Sequence, residues 1–318
     1  MRIVIIGGTG HVGTYLVPQL VAAGHEVINV SRDSRKPYTS HTAWKQVQQI
    51  TLDRSKEESA GTFGKTISTL CPDVVIDMIC FTPDSARMLV DGLRGQVQHF
   101  LHCGTIWVHG PGAAVPTTED QPRRPFGEYG IRKAAIETFL LREARLNNFP
   151  ATILHPGHIV GPGWAPLNPA GHFNLEVFGT IARGESLILP NLGMETVHHV
   201  HADDVARAFM KALTHWSTAV GESFHVVSPK ALTLRGYAEA VYAWFGKRPD
   251  LQFLPWDEWR AAVSESDAEA AWDHIAHSPC CSIEKARKLL DYEPRYSSLE
   301  AVFEALEWLL DQKKIRQS

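Results

Sequence analysis

The first thirteen residues constrain this chain more than any later stretch. A short β-branched run, Arg2 to Ile6, leads into Gly7-Gly8-Thr9-Gly10-His11-Val12-Gly13, and a periodic apolar stretch from Val12 to Ala23 closes at Gly24. The periodicity predicts a strand, a tight turn and a helix, and Glu26 to Val30 predicts the next parallel strand. The spacing of Gly7, Gly10 and Gly13 has a physical reading. The first glycine suits a turn too tight for a side chain, the second admits a pyrophosphate against the backbone, and the third lets helix and sheet pack closely. The helix N-terminus then offers unpaired N–H groups to phosphates. A dinucleotide site is expected here.

Further strands are expected to end at Leu52, Ile79, His102 and Leu154, with helical stretches between them. The alternation predicts an α/β fold: a Rossmann-type doubly wound parallel sheet with a smaller mixed C-terminal lobe for substrate. The division is set at 1–160 for dinucleotide binding, with some later segments returning to it, and 161–318 mainly for the substrate. From Pro156 to Gly171 the chain is dense in Gly and Pro and reads as a loop. Helices are expected near 174–184, 203–214, 234–245, 282–291 and 298–312, and short strands near 187–189, 197–200 and 223–227. A length of 318 residues can bury a core without staples. No apolar run approaches the about 20 residues of a spanning helix, and none resembles a signal peptide. The formal net charge of -4 argues against nucleic acid, and five cysteines without metal spacing read as reduced thiols of a cytoplasmic protein.

The kind of dinucleotide is set where the second strand ends. NAD enzymes place a carboxylate there for the ribose 2′-OH, whereas this chain has Ser31-Arg32, followed by Arg35 and Lys36. A guanidinium suits a 2′-phosphate, so NADP is favoured, with NAD possible. Asp53, just past a strand, is either an acceptor for the adenine amino group or an ordinary turn aspartate. The cofactor contacts expected are Gly7, Thr9, Gly10, His11, Val12, Gly13, Ser31, Arg32, Asp53, Met78, Ile79, Lys133, Pro156 and His158.

Tyr129 and Lys133 stand four residues apart on a predicted helix, hence on one face. An ammonium beside a phenol favours the phenolate, so the pair is expected to lower the phenol's pKa and exchange a proton with a substrate hydroxyl. With these motifs in order the chain resembles the extended short-chain dehydrogenases/reductases of the NAD-dependent epimerase/dehydratase type. The resemblance runs from the glycine turn through Asp53, His102 to Gly110, Glu119-Asp120, Tyr129 with Lys133 and Glu137, Pro156 to Gly163, Val200 to Ala208, and Ser282 to Arg287. It implies that Tyr129 is the general acid/base, that Lys133 tunes it and binds the nicotinamide ribose, and that Thr105 orients the substrate oxygen. It implies a hydride transfer at a secondary alcohol or ketone carbon of a sugar-like substrate, by a dehydrogenase, reductase or epimerase, and makes a homodimer plausible. A non-catalytic cofactor- or nucleic-acid-binding role is the alternative.

Departures from the family pattern narrow the reaction. Ile106 and Trp107 replace the acidic pair of the dehydratases, so 4,6-dehydration is not expected. Val197 stands where nucleotide-sugar enzymes carry a diphosphate-gripping arginine, His158 where an asparagine is common and His109 where a tyrosine is usual. The histidines His109, His155, His158, His172, His198, His199 and His201 lack metal-site spacing, and no metal is expected. His158 and His172 are the substrate-lining candidates among them. Trp107, and less strongly Trp164, Trp256 and Trp259, are candidates for an apolar wall against a sugar ring, as alternatives to ordinary core packing.

Overall fold

The computed structural model describes residues 1–32 and 34–316. Seven strands form one parallel sheet: β1 (Arg2–Ile6), β2 (Glu26–Ser31), β3 (Gln48–Thr51), β4 (Val74–Asp77), β5 (His99–Cys103) and β6 (Ala151–Pro156), joined late in the chain by β11 (Ser223–Val226). Their order is β11-β6-β5-β4-β1-β2-β3, so the winding reverses between β1 and β4. Cofactors of such folds bind in the crevice at that reversal, beyond the carboxyl ends of the strands. β1 is apolar from Ile3 onward and buried on both faces, as the interior of a parallel sheet requires. The expected strand ending at Ile79 stops at Asp77, because the Asp77 carboxylate accepts from the Ile79 N–H at 3.2 Å and turns the backbone out of the ladder.

Helices cover both faces of the sheet. α1 (His11–Ala22) and α7 (Ala202–Thr214) pack together on one side, with Leu16, Leu20, Val205 and Phe209 in the shared core. On the other side lie α2 (Arg54–Ser59), α3 (Phe63–Ser68), α4 (Pro83–Leu93) and α5 (Gly127–Leu146), over Phe63, Leu89, Phe100 and Ile136. The close contact of α3 and α4 has a visible cause: a Cβ on Gly92 would lie 2.4 Å from the Gly64 carbonyl carbon.

The remaining chain builds a second core around Phe178, Leu189, Tyr237, Tyr242, Trp259 and Leu306. It carries α6 (Glu176–Arg183), α9 (Leu234–Trp244), α10 (Trp256–Ala262), α11 (Glu265–His277) and α13 (Ser298–Asp311), whereas α8 (Trp216–Ala219) and α12 (Glu284–Leu290) return to the first core through Ala219, Ala286 and Leu290. Three small sheets brace it: β7 (His158–Val160) with β10 (His199–His201), β8 (Leu187–Pro190) with β13 (Leu251–Leu254), and β9 (Thr196–Val197) with β12 (Leu232–Thr233). Three sequence expectations change here. The segment after Pro156 is not all loop, since β7 pairs with β10. The single strand expected at 197–200 breaks at His198. Helices α10 and α11 lie where none was expected.

Candidate active site

At the sheet's reversal a cleft of about 340 Å³ opens, lined by Gly7, Thr9, Gly10, Ser31, Arg32, Arg35, Asp53, Ile79 and Phe81 among others. Its glycines behave as their spacing predicts. Gly7 adopts φ +87°, in the left-handed region where a side chain is strained. A Cβ on Gly13 would lie 1.9 Å from the Gly8 carbonyl oxygen, which enforces the helix–strand approach, whereas one on Gly10 would meet nothing nearer than 3.4 Å. Gly10 therefore leaves the α1 N-terminus bare toward the cleft. This cradle, with cations at its far wall, fits a dinucleotide diphosphate. Gly8, which the spacing passed over, is fixed by its N–H donating to Asn29 Oδ1 at 2.9 Å.

The other expected cofactor residues divide. Asp53 caps α2, accepting from the N–H groups of Ser55 and Lys56, and also borders the cleft. Ile79 lines the cleft, while Met78 packs on the core beneath it. Val12 is buried. The His11 ring stacks on Trp164 at 5.2 Å and tilts against Tyr38 at 5.3 Å, away from the residues that line the cleft. Burial lowers its pKa to about 4, with His201 adding to the shift. Pro156 and His158 flank the end of β6. Phe81, not anticipated, lies under the Lys133 ammonium, 5.1 Å from its ring centre.

The hydroxyl-bearing pair forms at the mouth of this region. Thr105 follows β5, and its hydroxyl oxygen accepts from the Trp107 N–H at 3.3 Å and lies near enough to the Tyr129 hydroxyl of α5 to act on its titration. Tyr129 is 42% exposed. Lys133 is buried and donates to the Cys103 carbonyl at 2.8 Å, with Nζ 5.9 Å from the Tyr129 ring centre. The expected lowering of the phenol's pKa does not appear. Burial pushes Tyr129 up to about 12, and Thr105 pulls against that. Burial lowers the Lys133 ammonium in turn.

Behind Thr105 runs a buried chain of groups that the sequence did not connect. The Thr105 N–H donates to His155 Nδ1 at 2.9 Å, His155 Nε2 meets Glu137 Oε1 at 2.9 Å, and Arg123 grips the same carboxylate through two nitrogens at 2.7 and 2.8 Å. Burial raises the Glu137 carboxyl, but His155 and Arg123 outweigh it and hold the group well below the usual range. Gly104 makes room, since a Cβ there would lie 2.3 Å from His155 Nδ1. His109 bonds His225 at 2.7 Å beside this chain, a pairing that sequence spacing could not reveal.

Beside this pair, Trp107 meets Tyr129 edge-on at 5.8 Å. His277 stacks between Trp107 at 4.1 Å and Phe126 at 4.0 Å, and His274 touches Trp107, His158 and Phe173, each at 5.2 Å. These two α11 histidines escaped the sequence reading along with their helix. His172 stands elsewhere: it faces a separate cleft with Trp259 and Asp267, bound to Asn168 and Asn174. Trp259 is core, and Trp256 packs upon it. Asp77, Cys80 and His102 bring ligand atoms within 4.8 Å of one another, a grouping invisible in the spacing. Arg54, bound to Asp77 at 2.8 Å, and Lys133 surround it with positive charge, which opposes a metal cation.

A parallel sheet with a glycine cradle at its reversal and a Tyr/Lys helix beside it defines a nucleotide-cofactor protein of the doubly wound class. Residues 3–226 match the NAD dependent epimerase/dehydratase family, and the chain belongs to that family. It is 26% identical over 280 residues to 2'-dehydrokanamycin reductase of Streptomyces kanamyceticus, covering 86% of this chain and 76% of the relative. It is 24% identical over 308 residues to the chloroplast stem-loop binding protein of 41 kDa b of Arabidopsis thaliana, covering 95% and 77%. Among solved structures, the UDP-glucose 4-epimerase of Thermotoga maritima superposes with a TM-score of 0.75 at 21% identity, over 98% of this chain and all (100%) of that one.

Proposed function

We propose that this chain is an NADP-dependent oxidoreductase that interconverts a secondary alcohol and a ketone on a sugar-like substrate. The observation that carries the reading is the convergence of Thr105, Tyr129 and buried Lys133 beside Phe81, at the edge of the cofactor cleft. A bound nicotinamide supplies or accepts the hydride. The protein's part is the proton: Tyr129 gives its phenolic proton to the substrate oxygen as the ketone is reduced, and takes the hydroxyl proton back in oxidation. Thr105 orients that oxygen, and Lys133 holds the nicotinamide ribose as the family resemblance implies. Residues 1–160 serve mainly the cofactor and 161–318 mainly the substrate.

Arg32 and Arg35 on the cleft wall support NADP. Ile106 and Trp107, in place of an acidic pair, support redox chemistry over elimination of water. Tyr129→Phe should cut turnover by roughly 10²- to 10⁴-fold while NADP binding persists; near-normal turnover would remove Tyr129 from the chemistry. Cofactor that stays bound through many turnovers, with no net reduction, would identify the epimerase mode. The stem-loop binding relative makes nucleic-acid binding the second reading, against which the net charge of -4 weighs.

A further inference from the structure

Tyr129, Lys133 and Glu137 follow one another at intervals of four along α5 and so share one face of the helix. The last two are buried, and each secures a backbone group beside Gly104. Lys133 donates to the Cys103 carbonyl, on one side of that glycine, at 2.8 Å. Glu137 reaches the Thr105 N–H, on the other side, through the fully buried ring of His155.

Thr105 needs this hold because the sheet stops short of it. The ladder between β5 and β6 closes with the Gly104 N–H donating to the Leu154 carbonyl at 2.7 Å. Thr105 then caps a 3-10 turn, Ile106–His109, and the N–H of a capping residue has no partner within its own turn. His155, from β6, supplies the acceptor: its Nδ1 takes the Thr105 N–H at 2.9 Å. The Thr105 hydroxyl oxygen takes the Trp107 N–H at 3.3 Å. One bond fixes the backbone of the residue and the other its side chain, and together they place the hydroxyl that acts on Tyr129.

The imidazole can do this in one tautomer only. A backbone N–H is a donor, so Nδ1 is bare; a carboxylate accepts, so Nε2, 2.9 Å from Glu137 Oε1, carries the proton. The other neutral tautomer would set donor against donor at Thr105 and acceptor against acceptor at Glu137. The carboxylate cannot swing away, because Arg123 grips both of its oxygens, and the remaining guanidinium nitrogen is anchored on the Glu119 and Gln121 carbonyls at 2.8 and 2.9 Å. A carboxylate that sets the tautomer of a histidine is the orienting device of hydrolase triads, where the wrong tautomer costs most of the rate.

We infer that Glu137 and His155 are positioning residues for the proton-transfer site: Glu137 locks His155 in its Nε2–H tautomer, and the bare Nδ1 holds Thr105 where its hydroxyl orients the substrate oxygen beside Tyr129. This role rests on the oxidoreductase reading above and adds to it two residues that act only through Thr105. One face of α5 then carries the proton donor and clamps the strand end opposite it.

Two amide substitutions separate the ends of the imidazole. In His155→Asn the amide oxygen falls near the place of Nδ1 and can accept from Thr105; in His155→Gln the longer amide falls near Nε2 and serves Glu137 alone. Full-length variants with NADP are assayed on hexoses, polyols, methyl glycosides and UDP-glucose by cofactor absorbance. His155→Gln and His155→Leu should lower kcat about 10²-fold, the scale of a reacting group misplaced by about 1 Å, with NADP affinity held, and His155→Asn should recover most of the loss. Tm should run the other way, Gln above Asn, because Gln keeps a partner for the buried carboxylate. In the wild-type protein, 15N NMR of labelled histidine should show a bare Nδ1 on His155, coupled to the Thr105 amide across the hydrogen bond. A proton on that Nδ1, full turnover in His155→Gln, or a kcat that follows Tm through the variants would overturn the inference, and the NMR result holds even where a variant does not fold. Refusal of the whole panel by NADP-loaded wild-type protein, or turnover indifferent to Tyr129→Phe, would instead sink the oxidoreductase reading, and the positioning role with it, whatever the tautomer.

Discussion

On the proposed reading, Arg32 decides between two cofactors that differ by one phosphate. It lies on the cleft wall with Arg35, at the strand end where a carboxylate would repel a 2′-phosphate. Removing a charge-assisted bond costs about 1.5–3 kcal/mol, so Arg32→Ala should weaken NADP by roughly 10- to 100-fold and leave NAD nearly untouched. Titration of both cofactors measures this, and equal losses would mean that Arg32 does not read the phosphate. Tyr129 carries a second consequence. With its phenol held near 12, the residue is protonated at neutral pH, the form that donates to a ketone oxygen. Reduction should therefore be nearly flat from about pH 6 to 9, while oxidation, which needs the base form, should rise about tenfold per pH unit over the same range. The sequence showed the Tyr129/Lys133 pair but not this sign. Spacing places two groups on one face; it does not report that Lys133 donates to the Cys103 carbonyl or that burial dominates the phenol's titration.

At the scale of elements, legibility follows how local the determining contacts are. The β1–turn–α1 unit is written in adjacent residues, and Gly13 holds it: a Cβ at 1.9 Å from Gly8 O has nowhere to go, because the obstacle is backbone. Gly13→Ala should cost roughly 1–3 kcal/mol by overpacking and weaken cofactor binding with it, both visible in a melt with and without NADP. Helix α11 was illegible for the opposite reason. Its inward face is Ala271, His274, Ile275 and His277, so half of its buried stripe is polar by type and gives a weak apolar period. Strand β7 is three residues long and owes its existence to pairing with β10, some forty residues onward in the chain. The chain from Arg123 through Glu137 and His155 to the Thr105 N–H likewise joins α5, β6 and a loop, and no local pattern announces it. Glu137→Ala strips a buried carboxylate from two partners and should destabilise the fold by roughly 3–5 kcal/mol. An unchanged Tm would show that Arg123 and His155 find other acceptors.

Across the whole molecule the histidines form one system with one pH response. The sequence presented them as an excess near the site; the structure disperses most of them into the interior, at β5, β6, β10 and the segments around them. His11, His99, His198, His199 and His201 are lowered to about 4, and His109 to about 3, in each case chiefly by burial. The unfolded chain binds protons at these residues near pH 6.5, while the folded chain resists until well below it. Between those limits the unfolded state holds more protons, so stability must fall as the pH falls, by up to about 1.4 kcal/mol per pH unit for each histidine fully in its window. Above pH 6.5 both states are neutral at these positions and the contribution is flat. Several such groups acting together should therefore make the fold markedly acid-labile, with the midpoint of urea unfolding steady from about pH 7 to 8 and dropping steeply from about pH 6 to 4.5. Replacing His99, whose Nε2 meets the Thr152 hydroxyl at 2.9 Å far from the cofactor cleft, by Gln should flatten that slope by about one proton without touching turnover. A slope that stays the same would assign the acid response to the carboxylates instead, with the paired Glu137 the first to examine, because a carboxyl held below its ordinary range also loses its contribution on acidification.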